Sequence, residues 1–463
     1  MLKLIKIPDN LLKYAIAAVI MAVPLYPKFP FFGIPGTYVS IRLEDFLIAA
    51  LTVVFILHFL PKIRGLVKND IEKSILIYLG VGIVSVLSGI FLTKTISPHL
   101  GILHWLRRVE YFLPFFIGVI YFKEKGRKDI EFFLKVLMLV IPILFLYGFG
   151  QKHLSWPVII TQNEEYSKGV ALRWVPGSHV NSTFAGHYDL ATFLVLTLPL
   201  FITFFFTLEG KWTKMSLLIV IFSGLWLLTN AVSRISVVSY LAASILSLIL
   251  VRRYKAILLV VAVSFIFFVF SGDLLARYSS IIDVTYTKIK EKTKILSEYK
   301  GVVVYAQEEN LLPKRRTNDN IEIIPKLIFE DRSTSIRLNV EWPRAIRAFR
   351  KNPLVGTGYS SITLATDNEY LRLLGEVGIL GFFSFILIFS NIVILIKKVL
   401  GRIHDCEEIK KGFIAAFIGS LFGVFLNSLF IDIFEASKFA IIFWLFTGMF
   451  VSLARKLIYE QHS

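Results

Sequence analysis

Long apolar runs separated by short basic segments set the pattern of this chain. Twelve nearly uncharged stretches lie near 11–25, 44–60, 74–92, 107–122, 132–149, 189–207, 215–230, 235–251, 256–271, 376–396, 412–430 and 438–454. Runs of that kind predict membrane-spanning helices. Alternate connections carry Lys62, Arg64, Lys68 and Lys73; Lys123, Lys125, Arg127 and Lys128; Lys211 and Lys214; Arg252, Arg253 and Lys255; Lys397, Lys398, Arg402, Lys410 and Lys411. With twelve spans these all fall on one side, together with Arg455 and Lys456 of the tail. Basic loops favour the cytoplasm, so both termini are expected inside. The predicted fold class is an all-α membrane protein of about 12 transmembrane helices.

Three segments then face outward. Residues 26–43 hold Pro27, Pro30, Gly33, Pro35 and Gly36 and predict a turn-rich loop. Residues 150–188 form a second. Residues 272–375 form a large external hydrophilic loop between helices 9 and 10. Within it Lys288 to Lys300 alternates charges and predicts a helix, and Asn310 to Pro325 predicts loop. Ser333 to Lys351 predicts a helix with Ile336, Val340, Ile346 and Phe349 as its apolar stripe. The organisation expected is 1–271 with nine helices, 272–375 outside, and 376–463 with the last three helices and a cytoplasmic tail. No internal repeat or low-complexity tract stands out.

Composition agrees with a membrane domain. Of 463 residues, 56% are hydrophobic and only 18% charged, too apolar for an ordinary soluble chain. The net charge of +18 suits basic cytoplasmic loops and a basic outer surface, so it gives no reason to invoke nucleic acid. The single Cys406 leaves no disulfide or cysteine metal site within one chain. Lys3, Lys6 and Lys13 precede the first run without an Ala-x-Ala cleavage pattern, as in a retained first span.

The chemistry gathers where 337–398 passes from a polar, basic stretch broken by Pro353, Gly356 and Gly358 into an apolar run. Asp367, Asn368, Glu369 and Arg372 sit at the junction, with Arg337, Arg344, Arg347 and Arg350 upstream. Carboxylates and guanidiniums at a membrane surface suit work on a lipid-linked, phosphate-bearing substrate. Asp367 is the leading catalytic candidate, as a general base already ionised at neutral pH. The alternative is that it caps the helix beginning near Asn368. In that case Glu369 or His187 is the next candidate base. Arg234, between two apolar runs, is a candidate diphosphate clamp or a snorkelling charge at a helix end. Arg173 in the second outer loop is a substrate contact or a solvated charge. His179, His187 and Asp189 match no strong metal-ligand spacing. Arg107, Arg108 and Glu110 suit headgroup anchors with a local salt bridge, and Asp432, Glu435 and Lys438 suit solvated turn charges. No Asp-x-Asp cation motif occurs in an outer loop, so arginines are expected to take the place of a metal, with no cofactor.

The same stretch resembles the O-antigen ligases and O-antigen polymerases, bacterial membrane glycosyltransferases that use undecaprenyl-diphosphate-linked sugars. They carry an Arg, ten residues, then Gly; here Arg347 and Gly358 fit, inside NPLVGTG. They also carry His-Asn (or Ser, Gln), nine residues, then Gly-x-x-Gly. Asn368, Gly378 and Gly381 fit, while Asp367 stands where the family has His. The resemblance is carried by about 337–390, more loosely by 173–250, and elsewhere by topology. It implies a role for Arg173, Arg234, Arg347 and Asn368; by position, Arg337, Glu369 and His187 join them as candidate diphosphate or substrate contacts. It also implies inverting transfer of a glycan to an acceptor hydroxyl on lipid A-core, a growing polysaccharide or a protein. The site would face outward from the bacterial cytoplasmic membrane, among membrane lipids. A polysaccharide flippase or other multi-spanning transporter is the alternative class, but it would be expected to show repeats and broken helices in corresponding halves.

The alternation of basic loops places Cys406 in the cytoplasm and Asn310 outside. An impermeant thiol reagent on intact cells should label a cysteine introduced at Asn310 and spare Cys406; the reverse labelling would invert the topology.

Overall fold

The computed structural model describes residues 9–27, 32–33, 40–41, 43–59, 69–123, 125–159, 172–269, 335–363 and 365–459. The helix expected at 288–300 and the loop expected at 310–325 lie outside them. Within the described residues, each of the twelve apolar runs falls mainly on a helix. These are α1 (Asp9–Leu25), α2 (Leu43–Phe59), α3 (Asp70–Leu87), α4 (Pro98–Phe122), α5 (Arg127–His153) and α6 (His187–Thr207). The series continues with α7 (Lys211–Asn230), α8 (Arg234–Leu250), α9 (Tyr254–Val269), α11 (Glu369–Leu400), α12 (Glu408–Asn427) and α13 (Ser437–Tyr459). A short α10 (Trp342–Lys351) precedes α11. Two small ribbons pair Phe32–Gly33 with Ser40–Ile41 (β1, β2) and Pro157–Val158 with Leu172–Arg173 (β3, β4).

Among the described residues, 7 helices are long and apolar enough to cross a membrane, and α1, α8 and α9 are shorter apolar helices. The chain is thus an all-α, multi-pass membrane protein in character. Helix α4 is long enough as well but carries Arg107, Arg108 and Glu110 at its middle. Two helices form the centre: the apolar window of α13 is 100% buried and that of α6 is 89% buried. Helices apolar on every side belong there. α13 packs on α4, and α12 packs on both α8 and α6. The α4–α13 crossing is close because glycines face each other's backbones. A Cβ on Gly448 would lie 2.1 Å from the Phe115 carbonyl oxygen, and one on Gly118 would lie 2.7 Å from that of Leu445. Small residues at crossings are how helices associate where lipid removes the hydrophobic drive.

The unbroken span expected over 376–396 is interrupted. Gly378 has φ 66°, ψ −169°, a conformation open only to glycine. The break frees backbone groups inside an apolar bundle, where each unmet group is costly. The segment Pro353–Gly358 meets them. The amides of Thr357 and Gly358 donate to the carbonyls of Gly375 (3.1 Å) and Glu376 (2.8 Å), and those of Ile379 and Leu380 donate to Pro353 (2.8 Å) and Leu354 (3.1 Å). Hydroxyls of α3 and the residues after it complete the seam. Ser85 donates to the Glu376 carbonyl, Thr95 to that of Thr357, and Ser88 to that of Gly356.

Upstream, a π-helical turn (Arg337–Glu341) runs into α10. The apolar stripe expected there does not face the bundle: Ile336, Val340 and Ile346 are exposed, and the buried contact is Ala345. A Cβ on Gly375 would meet the Ala345 carbonyl at 3.1 Å, so α10 rests on α11 through its small residues, leaving no room for the larger ones.

Gly378→Ala should be strongly destabilising. Backbone strain alone costs about 1–3 kcal/mol, and the new Cβ would lie 2.5 Å from the Gly356 nitrogen and the Leu354 oxygen. Gly80→Ala is the control, since a Cβ there meets nothing within 4 Å. Thermal unfolding of the detergent-purified variants should drop Gly378→Ala by many degrees and leave Gly80→Ala level or higher; equal melting would refute the seam.

Candidate active site

The head of α11 is assembled before it enters the bundle. Asn368 is its cap: its side-chain oxygen accepts from the Leu371 amide at 2.9 Å. The alternative reading of Asp367 as the cap is therefore wrong by one residue. Asp367 instead adopts φ 49°, a left-handed turn that swings its carboxylate away from the helix end. There it meets Arg337, whose Nε and Nη2 both donate to Oδ2, at 2.9 and 2.8 Å. Arg337 also donates to the Tyr188 hydroxyl at 3.4 Å, near the start of α6. The His187 ring lies against Tyr188 and against His179, with centroids 4.1 and 4.5 Å away. Burial raises the Asp367 carboxyl above the usual aspartate range, and Arg337 acts against that rise.

The turn between α12 and α13 clamps this head. The Asp432 carboxylate accepts the amides of Thr366 (2.6 Å) and Asn368 (2.9 Å). Arg372 bonds to Asp432 (3.0 Å), Glu435 (3.2 Å) and Glu376 (3.3 Å) and to the Ile362 carbonyl. Arg108 of α4 pairs with Glu435 and donates to the Phe434 carbonyl at 2.7 Å. Glu369 is 2% exposed; it accepts from the Phe434 amide, while its own amide donates to Ser428. Lys438 is wholly buried and donates to the carbonyls of Pro24, Tyr26 and Thr183. Asp432, Glu435 and Lys438 are thus engaged rather than free turn charges, with only Lys438 fully buried, and Arg108 is not a headgroup anchor. Arg107 pairs with Asp45 at 3.5 Å.

Arg234 opens α8 at the same end of the bundle. Ser236 of α8 donates to Asn427 of α12, and Asn427 donates to Thr192 of α6. The preceding Val232 is buried with φ 54°, an unfavourable conformation for a β-branched residue. Strained backbone therefore precedes both Arg234 and Asn368, as is common at functional sites. Arg173 is exposed on β4, donates to the Ser155 carbonyl, and shares no hydrogen bond with the Asp367 network among the described residues. Arg347 is exposed on α10, also outside that network. Among the described residues, no cluster of three or more His, Cys, Asp or Glu is arranged to hold a metal.

Sequence reasoning missed Glu341. It closes the π-turn that Arg337 opens, and burial together with Asp367 and Asp432 pushes its carboxyl up to about 7 against the pull of Arg337 and Arg344. Neither composition nor spacing could show this, because the causes are the side chain's burial and where Asp367 and Asp432 lie in space.

With this geometry in view, residues 216–386 match the family model described as O-antigen ligase. The matched stretch takes in Arg234, Arg337, Arg347 and Asp367 and ends inside α11. No curated protein matches the chain.

Glu341 makes a signed prediction. Its folded-state carboxyl, at about 7, holds a proton more tightly than the usual 4.5. Stability from this group is therefore present at low pH and lost as pH rises from about 4.5 through 7. Glu341→Gln removes that loss, so the stability of the variant relative to the native protein should climb between pH 5 and 8. A gap that does not change with pH, measured by thermal unfolding, would contradict the assignment.

Proposed function

We propose that this chain, with its O-antigen-ligase-like stretch over 216–386, is a glycosyltransferase of ligase or polymerase type. It would move a glycan from undecaprenyl diphosphate to an acceptor hydroxyl at the outer face of the bacterial cytoplasmic membrane. The observation that carries this reading is the Asp367–Arg337 pair, half-buried beside the head of α11 within the matched stretch. Direct displacement needs an oxygen to receive the acceptor proton and positive charge for the departing diphosphate.

Asp367 supplies the first. Arg337 holds its Oδ2, and its other oxygen faces the acceptor. As the hydroxyl oxygen bonds to the anomeric carbon, its proton passes to Asp367. The bond from that carbon to the diphosphate breaks, and its electron pair stays on the phosphate oxygen. Attack from the opposite face inverts the anomeric carbon. Arg234 supplies a guanidinium fork, which grips phosphate oxygens in pairs, and Arg337, whose Nε–Nη2 edge is held by Asp367, adds positive charge beside it. The clamp of Arg372, Asp432 and Glu435 keeps the head of α11 in place and takes no proton.

Asp367→Asn tests the base. Asparagine tolerates the left-handed turn, so the fold should persist, while loss of a general base costs about 10²–10⁴ in rate. Turnover is measured in proteoliposomes with lipid-diphosphate glycan from the source cells, beside thermal unfolding. Arg234→Lys should keep charge but recover only part of the rate. Near-native turnover in Asp367→Asn would remove it as base.

A further inference from the structure

Four side-chain atoms next to the Asp367–Arg337 pair are buried and make no hydrogen bond among the described residues: Glu341 Oε2, Trp342 Nε1, Arg344 Nη1 and Thr366 Oγ1. Folded proteins rarely leave such atoms unmatched, and several together call for an explanation. They share neighbours. Glu341 is within electrostatic reach of Asp367, Asp432, Arg337 and Arg344. Thr366 precedes Asp367 and rests on Asp432 through its amide. The Trp342 ring faces Phe430, two residues before Asp432, with centroids 6.4 Å apart.

The chemistry of the set narrows the ligand. An ionised phosphate brings acceptors only and gives Glu341 Oε2 no donor. A metal cation would be repelled by Arg344 and gain nothing from an indole N–H. A sugar ring uses all four: its hydroxyls donate to the carboxylate, accept from the indole and the guanidinium, and exchange bonds with the threonine hydroxyl. Its C–H face also suits an aromatic surface.

We propose that Glu341, Trp342, Arg344 and Thr366 form the subsite for the sugar that carries the attacking hydroxyl. The inference rests on the glycosyltransferase reading and sharpens it: the acceptor is a glycan, and a protein hydroxyl is not. Glu341 and Arg344 orient the ring, so that one hydroxyl points at Asp367.

Two measurements test it. In the transfer assay, Glu341→Gln and Thr366→Val should raise the KM for a glycan acceptor about tenfold or more, the effect of losing one hydrogen bond to a charged or buried group. The KM for the lipid-diphosphate donor should stay unchanged. Thr366→Val should also melt at or above the native temperature, because it removes an unmatched polar atom; a merely structural hydroxyl would melt lower. Unchanged acceptor KM in both variants, or efficient transfer to a serine-containing peptide that these variants do not impair, overturns the subsite while leaving the glycosyltransferase reading intact.

The second measurement needs no turnover. Oligosaccharides released by mild acid from the lipid-linked and lipopolysaccharide pools of the source cells are added to the purified protein and followed by saturation-transfer NMR. Binding of either oligosaccharide that Glu341→Gln weakens supports the subsite, even should no donor be turned over, in which case the glycosyltransferase reading alone falls. Absence of binding by the native protein, or equal binding by the variant, overturns the subsite.

Discussion

The structure depends on a helix that breaks inside the bundle and is repaired from outside itself. At Gly378 the ladder of α11 stops, and four of its backbone groups bond instead to Pro353–Gly358. In an apolar phase such a break is tolerable only if every freed amide and carbonyl is met. The exchange ties a polar, surface-lying segment to a membrane helix by groups that no side chain can replace. It fixes α10 against Gly375 and thereby places the π-turn that carries Arg337 and Glu341. It also leaves the first turns of α11 as a separate short piece, free to take a direction set by its own contacts.

Those contacts are charged, and their burial makes the arrangement stiff. Arg372 serves three carboxylates, Arg108 a shared one, and Asp432 caps two amides besides. A buried pair gains little net stability over an apolar pair, but removing one partner strands a charge and costs about 3–5 kcal/mol. The network therefore permits one geometry and penalises its neighbours. Asp367 and Arg337 sit on that rigid base, so their carboxylate and guanidinium are held in one arrangement. Pre-set dipoles and charges of this kind are what stabilise charge that develops in a transition state.

How much of this the sequence disclosed follows from where each signal resides. The twelve apolar runs are local signals, and each marks a helix. Gly356, Gly358, Gly378 and Gly381 were visible as a spacing, yet the exchange they permit joins residues some twenty positions apart and left no local trace. Asp432, Glu435 and Lys438 look like ordinary turn charges because their partners, Arg108, Arg372, Pro24 and Thr183, are 60 to more than 400 positions away. Asp367 was found through its neighbours in sequence, and the capping role offered as its alternative falls to Asn368, because a cap is decided by which side chain reaches the helix amides. Glu341 was missed altogether: its distinguishing property is a buried oxygen without a partner, which only coordinates reveal.

The aspartate at 367, where the resembled family has histidine, is chemically matched to its surroundings. A carboxylate gives Arg337 an anion to grip, and Arg337 in return works against the rise that burial imposes on that carboxyl. A neutral imidazole would offer the guanidinium one nitrogen and no charge, and an imidazolium would repel it. With histidine at 367 the guanidinium would need another anion, and Glu341, at the other end of the same π-turn, is the nearest in sequence. Two carboxylates and one guanidinium thus share this corner: Arg337 grips Asp367 through Oδ2, and Glu341, at the far end of the π-turn, lies within electrostatic reach of both.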